Sequence, residues 1–138
     1  MIRPTLRSLF ASAAALACAA GGVALAADSD ASPWAESAQS AIRLLDVGVR
    51  AEGRLLAGVE IRLSPKAKTY WRSPGDSGVP PSFDWSGSTN LGAVSVKWPV
   101  PVRFEDGAGT SLGYDANVIF PLLVTPADPQ KPVTLALA

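Results

Sequence analysis

Residues able to carry nucleophilic, acid–base or thiol chemistry are few in this chain. It has 138 residues, no histidine and one cysteine, Cys18. Without an imidazole the chain cannot build a Ser-His-Asp triad, a His-ligated zinc site or an imidazole acid–base pair from its own residues. One cysteine forms neither an internal disulfide nor a C-x-x-C redox pair.

A four-residue motif, Gly75-Asp76-Ser77-Gly78, matches the sequence around the nucleophile of trypsin-like proteases. That mechanism needs a histidine to take the proton of the serine, and the chain has none. The preferred interpretation is therefore a glycine-rich loop in which Asp76 and Ser77 hydrogen-bond to nearby backbone groups.

A basic and aromatic cluster precedes this motif and consists of Lys66, Lys68, Tyr70, Trp71 and Arg72. Such a cluster can bind single-stranded nucleic acid. Because side chains alternate along a strand, Tyr70 and Arg72 are predicted on one face and Trp71 on the other. The favoured interpretation is one aromatic side chain in the core and one at the surface. A sugar-binding platform of Trp71 and Trp85 is the alternative.

Carboxylates are scattered through the predicted loops, at Asp76, Asp84, Glu105, Asp106 and Asp115. A calcium site needs several oxygen ligands from closely spaced residues, and no run of this kind occurs. Glycoside hydrolysis needs two opposed carboxylates, and the sequence singles out no pair. No metal site, cofactor or catalytic residue is assigned from these residues.

The first 27 residues have the pattern of a secretory signal peptide. Arg3 and Arg7 are followed by an uncharged stretch from Leu9 to Ala20 and by the small residues of Ala24-Leu25-Ala26. A membrane anchor is disfavoured because the apolar stretch is short and interrupted by Gly21-Gly22. Lipidation at Cys18 is disfavoured because the upstream leucine lies one position from the usual place. Export with removal of residues 1–27 is expected.

Removal of this leader changes the chemistry of the remaining chain. The loss of Arg3 and Arg7 takes the 12 basic residues to ten against 12 acidic ones, a net charge of −2. Cys18 is lost with them, so the exported chain has no thiol. The balance of charge gives no electrostatic signal for nucleic-acid binding.

The rest of the chain shows strand patterns that must position these residues. Residues 28–39 are predicted as a flexible lead-in whose Trp34 docks on the domain, and residues 40–138 as one β domain. Val59, Ile61 and Leu63 alternate with Glu60 and Arg62, as in a half-buried strand. A hairpin is predicted at residues 51–54, and a helix over residues 35–45 is the competing interpretation of the segment before it.

Further predicted elements indicate an antiparallel β-sandwich. Short strands are predicted at residues 69–72, 82–86, 94–98, 116–125 and 133–138, with irregular structure at 73–81. Seven or eight short strands separated by turns are typical of a sandwich. Pro99 and Pro101 make the strand that ends at Trp98 an edge strand or the end of one. Since the final strand is apolar up to Ala138, a truncated domain is expected.

A longer motif connects the chain to a known family. Residues Thr69 to Pro81, read as TYWRSPGDSGVPP, resemble a segment of the DsbD amino-terminal domain family. Phe83-Asp84-Trp85-Ser86, Trp98-Pro99-Val100-Pro101, Arg103-Phe104, Gly113-Tyr114 and Phe120-Pro121 follow in the order of the family. The resemblance covers residues 40–135.

This resemblance implies an immunoglobulin-like β-sandwich in the periplasm that takes part in thiol:disulfide interchange. Reductant from a membrane electron donor would pass through a cysteine pair to periplasmic thiol-disulfide proteins. The family carries that pair beyond the position matching Ala138, and the exported chain has no cysteine, so no nucleophile is assigned. Tyr70, Trp71, Arg72 and Asp76 are the candidate wall of the active site. The alternative function is a non-enzymatic β-sandwich that binds a partner protein or a glycan.

Overall fold

The computed structural model describes residues 23–24 and 31–138, and these residues form ten strands and no helix. The strands are β1 Val23–Ala24, β2 Ala35–Glu36, β3 Ser40–Ala51, β4 Arg54–Leu63, β5 Thr69–Gly75, β6 Leu91–Val96, β7 Val102–Asp106, β8 Gly109–Tyr114, β9 Val118–Pro126 and β10 Ala136–Leu137. No helix of the described residues is long and apolar enough to cross a membrane. The predicted signal peptide lies outside the described residues, except for β1.

The larger sheet has five antiparallel strands in the order β2-β3-β4-β9-β6. Its strand β9 alternates strictly, with Phe120, Leu122 and Val124 buried and Ile119 and Pro121 exposed. This period of two lets every second side chain enter the core while the others face solvent. The alternation predicted for Val59, Ile61 and Leu63 is confirmed, since these side chains are buried or half-buried on the same strand face.

The smaller sheet has three antiparallel strands in the order β5-β8-β7, and β1 pairs with β10 separately. The two main sheets enclose an apolar core centred on Phe120, which is fully buried. Trp98, Tyr114 and Phe83 place their rings 5.1, 5.4 and 5.7 Å from the ring of Phe120, all near edge-to-face. This geometry is the favoured one for aromatic pairs. The predicted antiparallel, immunoglobulin-like β-sandwich is confirmed.

Several local predictions are confirmed or corrected by the strand bounds. The hairpin is confirmed, because β3 and β4 pair across the turn at Glu52-Gly53. The competing helix over residues 35–45 is wrong, since β2 and β3 occupy that segment. The strand ending near Trp98 is an edge strand, as predicted, because β6 lies at the end of the larger sheet.

The predicted strand and loop around residues 73–86 differ from the observed ones. Strand β5 continues to Gly75, so the irregular segment begins at Asp76 instead of Ser73. Residues 82–86 form no named strand; their main chain is connected to the C-terminal segment by the Asp84–Ala138 pair of backbone hydrogen bonds, at 3.0 and 2.9 Å. Prolines 80 and 81 immediately before this segment limit regular pairing.

The segment before β3 contacts the larger sheet. The guanidinium carbons of Arg43 and Arg62 lie 4.4 and 4.5 Å from the centre of the Trp34 ring. The Ser32 hydroxyl accepts a hydrogen bond from the Leu44 amide at 2.9 Å and donates one to the Pro33 carbonyl at 3.0 Å. These contacts satisfy polar groups that would otherwise be buried without partners.

Asn90 organises the connection between β6 and the loop at residues 127–132. Its φ angle is +56°, and its side-chain amide donates to the carbonyls of Asp128 and Lys131 at 2.9 and 3.0 Å. Its side-chain oxygen accepts from the Asp128 amide at 2.8 Å. Asn tolerates the left-handed backbone region better than other non-glycine residues, which explains its presence here.

Candidate functional site

The motif of residues 69–81 lies along β5 and in the loop that follows it. Thr69 and Tyr70 pair with Tyr114 and Gly113 of β8, and after a shift in register Gly75 pairs with Ser111. Pro74 falls within the shifted stretch, where its missing N–H removes no ladder hydrogen bond. The irregularity therefore ends the strand and directs the following residues, 76–81, over the face of the smaller sheet. We call residues 76–81 the motif loop.

Asp76 fastens the start of the motif loop to β8. Its amide donates to the Thr110 carbonyl at 2.9 Å, and its carboxylate Oδ2 accepts from the Thr110 amide at 3.0 Å. Gly109 has a φ of +119°, and a Cβ added there would lie 2.7 Å from Asp76 Oδ2. Because only glycine suits both that backbone angle and that contact, Gly109 and Asp76 are matched to each other.

Ser77 and Gly78 hold the motif loop against the sheet beneath it. The hydroxyls of Ser77 and Ser111 are 2.6 Å apart, and Ser111 is only 1% exposed. Gly78 has a φ of +94°, and a Cβ at this position would overlap the ring of Tyr70. The loop backbone therefore rests directly on the Tyr70 ring, which is half-buried.

These contacts decide between the two interpretations of the Gly75-Asp76-Ser77-Gly78 motif. The hydroxyl of Ser77 faces another serine hydroxyl, and the carboxylate of Asp76 binds a backbone amide. The motif is therefore a glycine-rich loop held by its own polar side chains, as predicted for Asp76, but Ser77 bonds to a side-chain hydroxyl and not to the backbone.

Trp71 and Arg72 follow Tyr70 on β5 and contact each other. Trp71 packs against the hydrophobic core, and its indole Nε1 is buried with no hydrogen-bond partner in the described residues. The Arg72 guanidinium lies 5.0 Å from the centre of the Trp71 ring, and Arg72 forms no ion pair within residues 31–138. Arg72 therefore covers Trp71 from the solvent side by a cation–π contact.

The structure brings together only part of the predicted wall. Trp71 and Arg72 contact each other, whereas Tyr70 contacts Gly78 and Asp76 contacts Thr110. All four candidates nevertheless belong to one continuous segment at the β5–β8 pair. Trp85, considered with Trp71 as a sugar platform, stacks on Phe83 at 6.2 Å, and both tryptophans pack against the core.

Two titratable side chains near this region have shifted pKa values. Hydrogen bonds from the backbone amide and the side-chain hydroxyl of Ser86 lower the pKa of Asp84. Burial raises the pKa of Tyr114, whose hydroxyl donates to the Pro99 carbonyl at 2.8 Å.

An apolar cavity of about 200 Å³ opens between β2–β3 and the C-terminal segment. Ala35, Ile42, Phe83, Leu137 and Ala138 are among the residues that line it. Within the described part of the chain, no group of three or more acidic, histidine or cysteine side chains could hold a metal ion. The cavity therefore suits an apolar group, and Glu36 is the charged side chain among its lining residues.

The residues that fasten the motif loop from β8 were missed by the reasoning from sequence. Gly109, Thr110 and Ser111 lie more than 30 positions after Asp76 and Ser77, and nothing in their local pattern connects the two segments. Strands β7 and β8 were not predicted, and the available signal was the glycine-containing turn Gly107-Ala108-Gly109, which is typical of a hairpin.

The two antiparallel sheets and their shared apolar core define the class as a β-sandwich domain, and comparison with known proteins gives its family. The profile of the family described as "Thiol:disulfide interchange protein DsbD, N-terminal" matches residues 39–138. The chain belongs to this family.

A solved structure agrees with this assignment. The N-terminal periplasmic domain of ScsB from Proteus mirabilis is similar, with a TM-score of 0.60 and 27% sequence identity. The alignment covers 72% of this chain and 40% of that chain, so the present chain spans less than half of the solved one. Among curated proteins, none matches the chain significantly.

Proposed function

We propose that residues 28–138 form the β-sandwich scaffold of a periplasmic protein-disulfide reductase system. The supporting observation is the family match over residues 39–138, within which the motif segment is held by paired contacts to β8. The export signal predicted in residues 1–27 supports a periplasmic location, as does the periplasmic origin of the similar ScsB domain.

The thiols of the proposed reaction must come from outside the described residues, because Cys18 is the only cysteine of the chain. In this reaction a thiolate attacks a disulfide sulfur of the partner, and the partner's other sulfur leaves as a thiolate. The second cysteine then attacks the mixed disulfide, which releases the partner as a dithiol and leaves the pair oxidised. A membrane electron donor would reduce the pair again.

The proposed role of the chain's own residues is to shield and position this cysteine pair. Three contacts each fix one part of the segment around β5: Gly78 on the Tyr70 ring, Arg72 on the Trp71 ring, and Asp76 with the Thr110 amide. A reduced pair in an oxidising compartment needs such protection from non-specific disulfide exchange. We therefore retain Tyr70, Trp71, Arg72 and Asp76 as the proposed wall.

Insulin-disulfide reduction in the presence of dithiothreitol tests the proposal in two steps. Residues 28–138 alone should not accelerate the reaction above the rate with dithiothreitol only. Next, the nucleotide sequence after the Ala138 codon is read, and any continuing frame is expressed with residues 28–138. A frame encoding two nearby cysteines whose protein accelerates the reaction supports the proposal.

Two results would contradict it. Acceleration by residues 28–138 alone would show that the scaffold needs no added thiol. A stop codon directly after Ala138 would favour the binding module instead.

A further inference from the structure

The C-terminal strand β10 has two edges, and the structure pairs each with a different segment. On one edge Thr134 and Ala138 exchange backbone hydrogen bonds with Thr89 and Asp84, at 2.8 to 3.1 Å. Between them the Ala136 amide donates to the Ser88 hydroxyl at 2.9 Å, and that hydroxyl lies 3.1 Å from the Ala136 carbonyl. Residues 134, 136 and 138 therefore all direct their main-chain groups toward residues 84–89.

The opposite edge belongs to the alternate residues. Both polar main-chain groups of a residue in an antiparallel ladder point to the same side, and successive residues alternate. The N–H and C=O of Leu137 therefore point away from residues 84–89. Val23 of β1 lies opposite Leu137 in register, and Ala24 lies opposite Ala136. Val23 and Leu137 thus form the hydrogen-bonded pair, and Ala24 and Ala136 the non-hydrogen-bonded one.

The surroundings of this edge are apolar. The side chains of Leu135 and Leu137 are 4% and 6% exposed. Leu137 and Ala138 also border the cavity of about 200 Å³ that reaches Ile42 of β3, and β1 itself contacts β3. Strand β1 therefore lies along the seam between β10 and the edge of the larger sheet.

Removal of residues 1–27 takes away the partner of this edge. An unpaired strand edge beside an apolar groove is prone to pair with another extended segment, and a buried amide without a partner is costly. We propose that in the processed protein the Leu137 edge of β10 is a strand-acceptor site for an extended, uncharged segment of a partner polypeptide, of which Val23–Ala24 is the occupant within the unprocessed chain. The inference rests on the proposed processing of the leader and is independent of the redox chemistry.

The test uses a synthetic peptide with the sequence of residues 20–28, acetylated at its N-terminus. It is titrated into ¹⁵N-labelled residues 28–138 and followed by amide chemical shifts. Saturable shifts centred on Leu137 are expected. N-methylation of the Val23 amide should weaken binding by about tenfold or more, because it removes a main-chain hydrogen bond and adds bulk at the paired edge. N-methylation of the Ala24 amide, which points away from β10, is the matched control and should leave binding nearly unchanged.

The full 138-residue chain provides a second comparison. Its own Val23–Ala24 already occupies the edge at high effective concentration, so the peptide should bind it about tenfold more weakly or worse. If residues 28–138 give a poorly dispersed spectrum, the full chain carrying Val23→Pro replaces them, with Ala24→Pro as its control. Proline removes the N–H that faces Leu137 in the first variant and an outward N–H in the second.

Three results would overturn the proposal. The first is the absence of saturable shifts at Leu137. The second is equal binding of the peptides methylated at Val23 and at Ala24. The third is a concentration-dependent shift of Leu137 without peptide, which would show that a second copy of the chain occupies the edge. A redox-silent protein that still binds the peptide would leave this inference standing, so its failure and that of the proposed reductase role are distinguishable.

Discussion

Replacement of Gly78 by alanine should destabilise the domain for two separable reasons. The φ of Gly78 is +94°, a region that residues with a Cβ rarely adopt. The added Cβ would also overlap the ring of Tyr70, so the ring or the motif loop must move.

The magnitude can be estimated from these two contributions. A non-glycine residue held in a sparsely populated backbone region costs about 1–3 kcal/mol. Displacing the Tyr70 ring from its rotamer adds about 0.5–1.5 kcal/mol. We therefore expect Gly78→Ala to lower the free energy of unfolding by about 2–4 kcal/mol. Gly107→Ala is the matched control, because a Cβ at Gly107 meets no atom within 4 Å and the residue is not in the positive-φ region.

A double-mutant cycle separates the contributions. In Tyr70→Ala the ring is absent, so Gly78→Ala in that background should cost only the backbone part, about 1 kcal/mol less than in the wild-type chain. Urea unfolding followed by tryptophan fluorescence measures all four proteins. Equal effects of Gly78→Ala and Gly107→Ala would refute the contact of the motif loop with Tyr70, as would a Gly78→Ala effect that is the same with and without the ring.

Three further predictions concern the contacts that hold the same sandwich. Asp76→Ala should lower the free energy of unfolding by about 1 kcal/mol, a value that allows for the exposure of the carboxylate. Asp115→Ala is the control and should change it little in the same urea measurement, because the Asp115 side chain makes no hydrogen bond among the described residues. Asn90→Ala should lower the free energy of unfolding by about 2–4 kcal/mol, because it removes the side-chain amide contacts and places alanine at a φ of +56°. Asn90→Gly should lower it less, because only the contacts are lost. Burial raises the pKa of Tyr114 in the folded state. Its contribution to stability is therefore present in full below about pH 10 and is lost as the pH rises through the raised pKa of the folded state. Tyr114→Phe should accordingly flatten the decrease in melting temperature at alkaline pH.

The period of the apolar residues predicted the strands of the larger sheet correctly, because burial of one face requires an apolar residue at every second position of a strand. Val59 and Ile61 alternate with charged residues, and that spacing alone places them toward a core. The same reasoning placed a strand at residues 82–86, where Phe83 and Trp85 alternate with Asp84. The structure gives that segment a looser pairing with the C-terminal residues, because adjacent prolines and the Ser86 turn compete with a regular ladder.

The candidate site was predicted as a segment but not as a set of contacts. The resemblance selected residues 69–81 as one segment, whereas the partners of Asp76 and Ser77 lie on β8 at positions 110 and 111. Contacts between distant segments depend on strand order and register, which short-range patterns do not encode. The strand order β5-β8-β7 brings Thr110 and Ser111 beneath the motif loop, and no local feature of either residue indicates this.

The same geometry explains why a sequence so similar to a protease motif serves the fold here. The nucleophile loop of a trypsin-like protease and a fastened loop both need glycines at tight turns and short polar side chains close to the backbone. What separates the two is the atom that each side chain faces. Ser77 faces the buried hydroxyl of Ser111 and Asp76 faces the Thr110 amide, so the polar groups of the motif are used within the domain. The contacts of residues 69–81 thus keep Tyr70 and Trp71 in fixed positions. In the proposed function these positions lie beside the cysteine pair, and Gly78→Ala would disturb them.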